Sequence, residues 1–380
     1  MNEPVKALSI ASYPFLPPKM GGEKGIALFN RYLAPLLELH CVTTSANKIS
    51  GNEGYHILPV LSKSKSKTRY INPLLFFRLK RIIKELGITH VILEHPYYGW
   101  LGVMLKWFCK VKLVIHSHNI EATRFRSIGM WWWGILWNYE KWTHRQAHSN
   151  FFIQDDDKAY AIQRFGLDPA RCFTITYGIE METAPSAGER QAARKVVAAK
   201  YGIAGEEKIL LFNGSLDYKP NLDALKIILD EINPILLSAP AFKYKFIICG
   251  KNLPETYQQL TAYADKHIIY AGFVEDIDLY FKAADIFINP VTDGGGIKTK
   301  LVEALAHNLN VVTTQSGAIG VPVELTGGKM TVLKDDELSL FATEIMKTNT
   351  SASIPASFFD HFYWGHIAKK AAAAMGSSGS

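Results

Sequence analysis

Ten short runs of apolar, largely β-branched residues recur along the chain, separated by stretches with helical spacing. In the first half they are KALSIASY, HCVTTS, THVILEH, LVIHSHN and NFFIQ. In the second half they are KILLFNGSL, YKFIICGKN, IIYAGFV, DIFINPV and NVVTTQS. Most are continuously apolar rather than alternating, the pattern of strands covered by other elements on both faces. Strands interleaved with helices in this way predict the α/β class, with parallel sheets between helical layers. In such sheets ligands bind beyond the carboxyl ends of the strands, so the turns after these runs are the first places to search for chemistry.

A chain of 380 residues is long enough for two such layered domains. Regular strand spacing lapses after FTITYGIEMETAPSAGERQ, near residue 180. The expected organisation is therefore an N-terminal domain over 1–179 and a C-terminal domain over 180–359. The closing MGSSGS, 375–380, reads as an appended linker. Cys41, Cys109, Cys172 and Cys249 lie at no metal-ligand spacing and read as buried thiols of a reducing compartment. No apolar stretch approaches the ~18 residues that span a bilayer, and the opening MNEPVKALSIASYPF lacks a leader pattern. The expected location is cytoplasmic. A net charge of +7 suits anionic partners without choosing among phosphate ligands, acidic lipids and nucleic acid.

The most informative turn is DGGGIKTKLVEALAH, residues 293–307. Three successive glycines are entropically expensive to order, which suggests that something approaches their backbone closely. They lie between a buried strand and a helix, whose N-terminus offers free N–H groups and partial positive charge to a phosphate. Lys300 and Glu303 are three apart and share a helical face, with Glu303 about 10 Å along the axis from Gly296. That spacing fits a phosphate at the turn and a sugar diol at the carboxylate. An ordinary glycine turn beside a surface Lys–Glu pair is the competing reading.

The neighbourhood favours the ligand. NGSLDYKPNLDAL follows the first strand of the second half, and YAGFVEDIDLYFKAADIFINPVTDGGGIKTKLVEALAHNLNVVTT runs on to the end of the motif. Over residues 208–318 this strongly resembles the nucleotide-binding domain of the group 1 (GT4-like) glycosyltransferases. Their architecture is GT-B: two Rossmann-like parallel-sheet domains facing across a cleft. The closing FFDHFYWGHIAKKAAAAM resembles the last helix of GT-B chains, which implies a helix over 360–376 that returns to the first domain, anchored by Trp364. The resemblance implies that Phe273 and Val274 meet the nucleotide base and that Glu303 holds the ribose. Gly295, Gly296, Ile297 and Lys300, with Lys298, would hold the diphosphate. Two positions depart from the family pattern. Many relatives carry a donor-sugar glutamate where this chain has Gly295. The diphosphate-binding arginine is replaced by Ser215, after Gly214, and Lys219 can compensate.

In the first half, Gly21 and Gly22 stand where the family places a loop against the donor diphosphate. HSHNIEATRF resembles the family's HN-E segment, implying that His118 touches the donor sugar, with Asn119 and Glu121 beside it. His118, Lys300 and Glu303 are thus the implied catalytic residues. Arg124, and Glu94 and His95 of EHPYYGW, are candidates for the acceptor side, and His116 reads as structural. QDDDKAY offers three adjacent acids, but adjacent side chains diverge. They read as one helix N-cap and two first-turn charges, and the resemblance implies no essential metal.

Two segments bear on the acceptor. KSKSKTRYINPLLFFRLKRIIKELG is basic and amphipathic, and SIGMWWWGILWNYEKWTHRQ carries tryptophans at 131, 132, 133, 137 and 142. Such segments can lie in a membrane interface, peripheral on its inner face, or can pack their rings onto the sheet. The resemblance implies a retaining hexosyl transfer from a UDP- or GDP-linked sugar to a glycan or lipid-linked acceptor, in cell-surface polysaccharide synthesis. It implies no cofactor and no nucleic-acid partner. Backbone donors and lysines would stabilise the leaving diphosphate, which can itself accept the acceptor's proton. A catalytically silent nucleotide-sugar-binding subunit and a non-hydrolysing sugar-nucleotide epimerase are the alternatives. A dehydrogenase is disfavoured because the first β–α turn lacks GxGxxG.

Overall fold

The structure is a computed structural model describing residues 5–18, 21–63, 67–348 and 352–376. The chain divides into two compact units, Met1–Glu180 with Phe362–Ser380, and Met181–His361.

The strands of the first unit are β1 (Lys6–Ala11), β2 (Glu38–Thr44), β3 (His56–Leu61), β4 (His90–Glu94), β5 (Lys112–Ser117), β6 (Ser149–Phe152) and β7 (Cys172–Thr174). They form one sheet in the order β3-β2-β1-β4-β5-β6-β7, with every pair parallel. Its helices are α1 (Gly21–Leu33), α2 (Leu74–Leu86), α3 (Gly99–Cys109), α4 (Glu121–Ser127), α5 (Trp133–Gln146) and α6 (Asp155–Tyr160). The central strands are buried on both faces, as their unbroken apolar runs require. Leu8, Ile10, Leu93 and Ile115 of these strands pack with Leu79 and Ile83 of α2 and Leu101 and Leu105 of α3.

In the second unit the strands are β8 (Lys208–Asn213), β9 (Tyr244–Cys249), β10 (Ile268–Gly272), β11 (Ile286–Asn289), β12 (Asn310–Thr314) and β13 (Met330–Leu333). They too are all parallel, in the order β10-β9-β8-β11-β12-β13. Helices α7 (Ala187–Tyr201), α8 (Lys219–Ile227), α9 (Asn233–Leu237), α10 (Ile277–Ala283), α11 (Thr299–Ala306), α12 (Gln315–Ala318) and α13 (Leu340–Lys347) accompany this sheet. α14 (Ala356–Phe362) and α15 (Trp364–Gly376) close the chain. In both sheets the order reverses direction next to the first strand, between β1 and β4 and between β8 and β11. Such switch points are where open α/β sheets leave room for ligands.

The expected single helix over 360–376 is two helices broken at Tyr363, whose backbone bridges to Ile179. α15 packs against α1. Trp364 is fully buried between Phe29 and Tyr177, and a Cβ on Gly178 would lie 2.5 Å from its indole. The expected linker over 375–380 needs correction at its start. Met375 and Gly376 belong to α15, Met375 is buried, and its carbonyl lies 3.2 Å from His90 Nε2. Residues 377–380 lie outside the described residues, as do 64–66 of the basic segment. The aspartates of QDDDKAY also differ from expectation. The N-cap of α6 is Gln154, the last extended residue, and Asp155, Asp156 and Asp157 all fall in the first turn, where negative charge meets the helix dipole favourably.

Candidate active site

In the second unit, β11 delivers the chain into the glycine turn and α11 carries it away. Gly294 and Gly296 adopt left-handed φ of 93° and 76°, which a side chain would resist. A Cβ on Gly294 would also meet the Tyr218 hydroxyl at 3.2 Å, so the turn is packed against the start of α8. Gly295 is different, since a Cβ there would meet nothing within 4 Å. Ile297 packs against the backbone of Gly320.

The two lysines that follow are held by neutral oxygens. Lys298 Nζ donates to the Gly294 carbonyl. Lys300 Nζ donates to the Asn213 carbonyl at 3.2 Å and to Asn221 Oδ1 at 3.0 Å, with its ammonium 4.8 Å from the centre of the Phe212 ring. Burial lowers Lys300 to about 7, helped by the charge of Lys298, and lowers Lys298 to about 8 against the opposing pull of Asp293. α11 begins after Lys298 with no side-chain cap. Two desolvated lysines beside an uncapped helix start are an arrangement that can hold an anion. Glu303 lies one turn further along the same helix and is partly buried.

Gly214 and Ser215 follow β8 beside this turn. The Ser215 hydroxyl donates to Asp217 at 2.6 Å, and its carbonyl accepts from Asn221. Lys219, the residue expected to compensate for the absent arginine, lies at the start of α8. It is largely exposed and ion-paired with Asp223 on its own helix. Phe273 follows Gly272 at the end of β10 and is 70% exposed, an aromatic face open to stacking, with Val274 partly buried next to it. Sequence reasoning missed Asn221, although it lies within NGSLDYKPNLDAL, because an amide in a helix carries no chemical signature until its partner is known.

In the first unit, the carboxyl ends of β1, β4 and β5 gather a polar cluster. Glu94 ends β4 and is fully buried, and its Oε2 accepts from His118 Nε2 at 2.9 Å. Burial alone would raise the Glu94 carboxyl, but His116 and His118 overrule it and hold it well below the usual range. His118 itself is lowered to about 4 by burial and by His95, whose ring stacks on it at 4.3 Å. His95 Nδ1 lies 3.1 Å from Glu121 Oε1, and its Nε2 lies 3.1 Å from the Tyr13 hydroxyl. Glu121 also accepts from Tyr97 at 2.7 Å and from Arg124 at 2.8 Å. Against the effect of burial, the His95 hydrogen bond leads in lowering it to about 2. Asn119 is partly buried, and its carbonyl accepts from Ser117.

Glu140 of α5 caps α4 by accepting from the backbone N–H groups of Glu121 and Ala122, at 3.0 and 2.9 Å. Burial pushes its carboxyl up to about 8 against those donors. Nothing in the sequence marked Glu140, which reaches the cluster only through the packing of α5. Tyr13 was detectable in principle, because it follows β1 where such sheets place ligands. Gly21 and Gly22 open α1 rather than forming a turn, and a Cβ on Gly22 would lie 3.8 Å from the Tyr13 hydroxyl.

Among the described residues, Glu94, His116 and His118 present ligand atoms within 4.8 Å of one another. His116 Nδ1 approaches Glu94 Oε2 to 2.9 Å, yet neither of its ring nitrogens makes a hydrogen bond. A bound cation would require His118 to give up its N–H bond to Glu94, a bond that already accounts for the short contact between them.

Two all-parallel sheets, each with a switch point beside its first strand, are the architecture of the GT-B class of glycosyltransferases. The comparisons with known proteins agree. Residues 207–348 match the model of the Glycosyl transferases group 1, and residues 20–183 that of Glycosyltransferase Family 4. The chain belongs to the group 1 glycosyltransferases.

Among solved structures, HepE from Anabaena with UDP aligns at a TM-score of 0.70 and 15% identity, over 97% of this chain and 99% of that one. WaaG, a glycosyltransferase involved in lipopolysaccharide biosynthesis, aligns at 0.65 and 14%, over 97% and 98%. A glycosyltransferase from Rickettsia africae aligns at 0.63 and 13%, over 98% and 94%. At these identities the likeness is one of fold. A Klebsiella pneumoniae protein described as an uncharacterized 44.6 kDa protein in the cps region is 28% identical over 149 residues, which span 38% of each chain.

Proposed function

We propose that the protein transfers a sugar from a nucleotide-diphosphate sugar to a glycan or lipid-linked acceptor in cell-surface polysaccharide synthesis, with retention of anomeric configuration. The observation that carries this reading is the pair Lys298 and Lys300. Both are desolvated, both are held by neutral oxygens, and both stand at a glycine turn before a helix. A diphosphate supplies the charge those ammonium groups lack, and as a leaving group it accumulates more of it in the transition state. Charge stabilisation on this plan comes from lysines and backbone N–H groups and needs no metal or cofactor. Glu303 would hold the ribose, Phe273 and Val274 the base, and His118 the donor sugar. The binding of UDP and UDP-glucose by HepE supports a uridine donor, and the cps-region relative and WaaG support a surface-polysaccharide acceptor.

No helix among the described residues is long and apolar enough to cross a membrane. A cytoplasmic enzyme touching the inner face of the membrane peripherally is the setting this reading implies. The test is turnover. Nucleoside diphosphate release from UDP-glucose or GDP-mannose, in the presence of a lipid-linked glycan extract, should exceed that of Glu303→Ala by at least about 100-fold. NMR of the product should show the anomeric configuration of the donor. Equal release by wild type and variant, or an inverted product, contradicts the reading.

A further inference from the structure

Lys300 rests on two neutral anchors beside the glycine turn, and the one that is a side chain is Asn221. Asn221 lies in the first turn of α8, two residues after the helix begins at Lys219. Its amide bridges two elements. Oδ1 accepts from Lys300 Nζ at 3.0 Å, and Nδ2 donates to the Ser215 carbonyl at 2.9 Å. An ammonium only donates and a carbonyl only accepts, so both partners demand this orientation of the amide. Reversing it would set N–H groups against an ammonium and oxygen against oxygen. The loop that carries Ser215 is fixed in turn. A Cβ on Gly214 would fall 2.7 Å from Asn221 Nδ2, and one on Gly250 would fall 2.1 Å from the Gly214 carbonyl. The Gly214 N–H donates to the Cys249 carbonyl, and the Asn221 N–H donates to the Tyr218 carbonyl at 2.9 Å. Among the described residues no carboxylate pairs with Lys300. Asp223, further along α8, pairs with Lys219, and Asp217 accepts from Ser215 and Asn252. An ammonium has three N–H donors, so the third is left for an incoming oxygen.

We infer that Asn221 is a positioning residue of the proposed diphosphate site, holding Lys300 in place through an oxygen that carries no charge. This rests on the glycosyltransferase reading and adds to it the reason for an amide at this position. A carboxylate would hold the ammonium as firmly, but it would cancel the charge a diphosphate is to meet and would itself repel the ligand. An aliphatic residue would spare the charge but free the flexible lysine stem, whose rotamers would then have to be frozen on binding. The amide fixes the stem and keeps the charge. The demand on Lys300 is high because Ser215 stands where the family pattern has an arginine, and Asn221 grips the backbone of that same Ser215.

Asn221→Asp keeps the shape and charges the anchor, whereas Asn221→Ala removes the anchor. In calorimetric titration of the full chain with UDP and GDP, Asn221→Asp should lose at least about tenfold in affinity and Asn221→Ala about fivefold. The Asp variant should also take up fewer protons on binding, because its paired Lys300 is already charged in the empty site. Affinity within about twofold of wild type in either variant, or the same loss in both, overturns the inference. If Asn221→Asp fails to fold, Asn221→Ala decides between its expected loss and no loss. The second measurement needs no ligand. In the full chain labelled with ¹³C-lysine, the Lys300 signal, identified by its absence from Lys300→Ala, should titrate at about 7. In Asn221→Asp its midpoint should rise by about one pH unit or more. A midpoint that Asn221→Asp leaves unmoved overturns the inference. If the wild type binds neither diphosphate while the midpoint moves as expected, the donor-site reading fails and the anchoring of Lys300 by Asn221 stands.

Discussion

Lys300 and Lys298 should set the pH behaviour of the proposed diphosphate site. Their folded values, about 7 and about 8, lie below the ordinary 10.5 because burial disfavours the charged form. A bound diphosphate favours that same charged form. Above pH 7 the empty site is therefore less protonated than the complex, so binding takes up protons and affinity falls as pH rises through 8. Calorimetric titrations with UDP in HEPES and in Tris should differ in apparent enthalpy by an amount that reports this uptake, and Kd should rise by about tenfold from pH 7 to pH 9. Buffer-independent heats and a flat Kd would show that the lysines do not meet the ligand's charge. At this scale the sequence showed the ends of the argument better than its middle. Lys300, Glu303 and His118 stood in motifs. Glu140 and Asn221 gained meaning only from the neighbours that packing gave them.

The glycine turn is an element whose three residues have separate duties. Gly294 and Gly296 need their left-handed backbone, while Gly295 has room for a side chain. Alanine at 294 or 296 should cost roughly 1–2 kcal/mol in thermal unfolding and weaken UDP binding, whereas Gly295→Ala should be close to neutral in both. If Gly295→Ala were the damaging one, the assignment of the turn's geometry would be wrong. The room at Gly295 also means that the family's missing glutamate is absent by sequence and not by exclusion.

Strands were legible in proportion to the length of their apolar runs. The ten apolar runs all became strands, and the three that escaped, β3, β7 and β13, are all sheet edges. β3 reads HILPVL, half exposed and interrupted by Pro59, which an edge strand tolerates. β7 has only three residues, and β13 is buried at its two ends alone. These three lack the unbroken apolar run that marked the remaining edge strand, β10, so pattern alone cannot separate them from loops.

At the scale of the whole molecule, the net charge of +7 is joined in the first unit by an exposed apolar surface. Leu74 and Phe77 of α2 and Trp107 and Phe108 of α3 are each more than 60% exposed, and the Phe76 and Phe108 rings, 5.5 Å apart, join the two helices. Arg78, Lys80, Arg81 and Lys84 lie along α2. α5 resolves the tryptophan question in mixed fashion. Trp137 packs on Phe165 and donates to Tyr160, whereas Trp131, just before the helix, is 84% exposed. A basic helix with outward aromatics suits an anionic interface. Co-sedimentation with vesicles containing phosphatidylglycerol should therefore exceed that with pure phosphatidylcholine and weaken with salt. Phe77→Asp with Trp107→Asp should reduce it by about tenfold or more. Equal binding to both vesicle types, or none, would remove the membrane from the account.

The central claim is that the turn at 293–298 and the helix after it hold a nucleoside diphosphate. Calorimetric titration of the wild type, Lys300→Ala and Glu303→Ala with UDP and with GDP, without added metal, tests it directly. The account predicts that one of the two diphosphates binds the wild type and that each substitution weakens it by at least about tenfold. Failure of both diphosphates to bind the wild type, or binding that survives both substitutions unchanged, would contradict it.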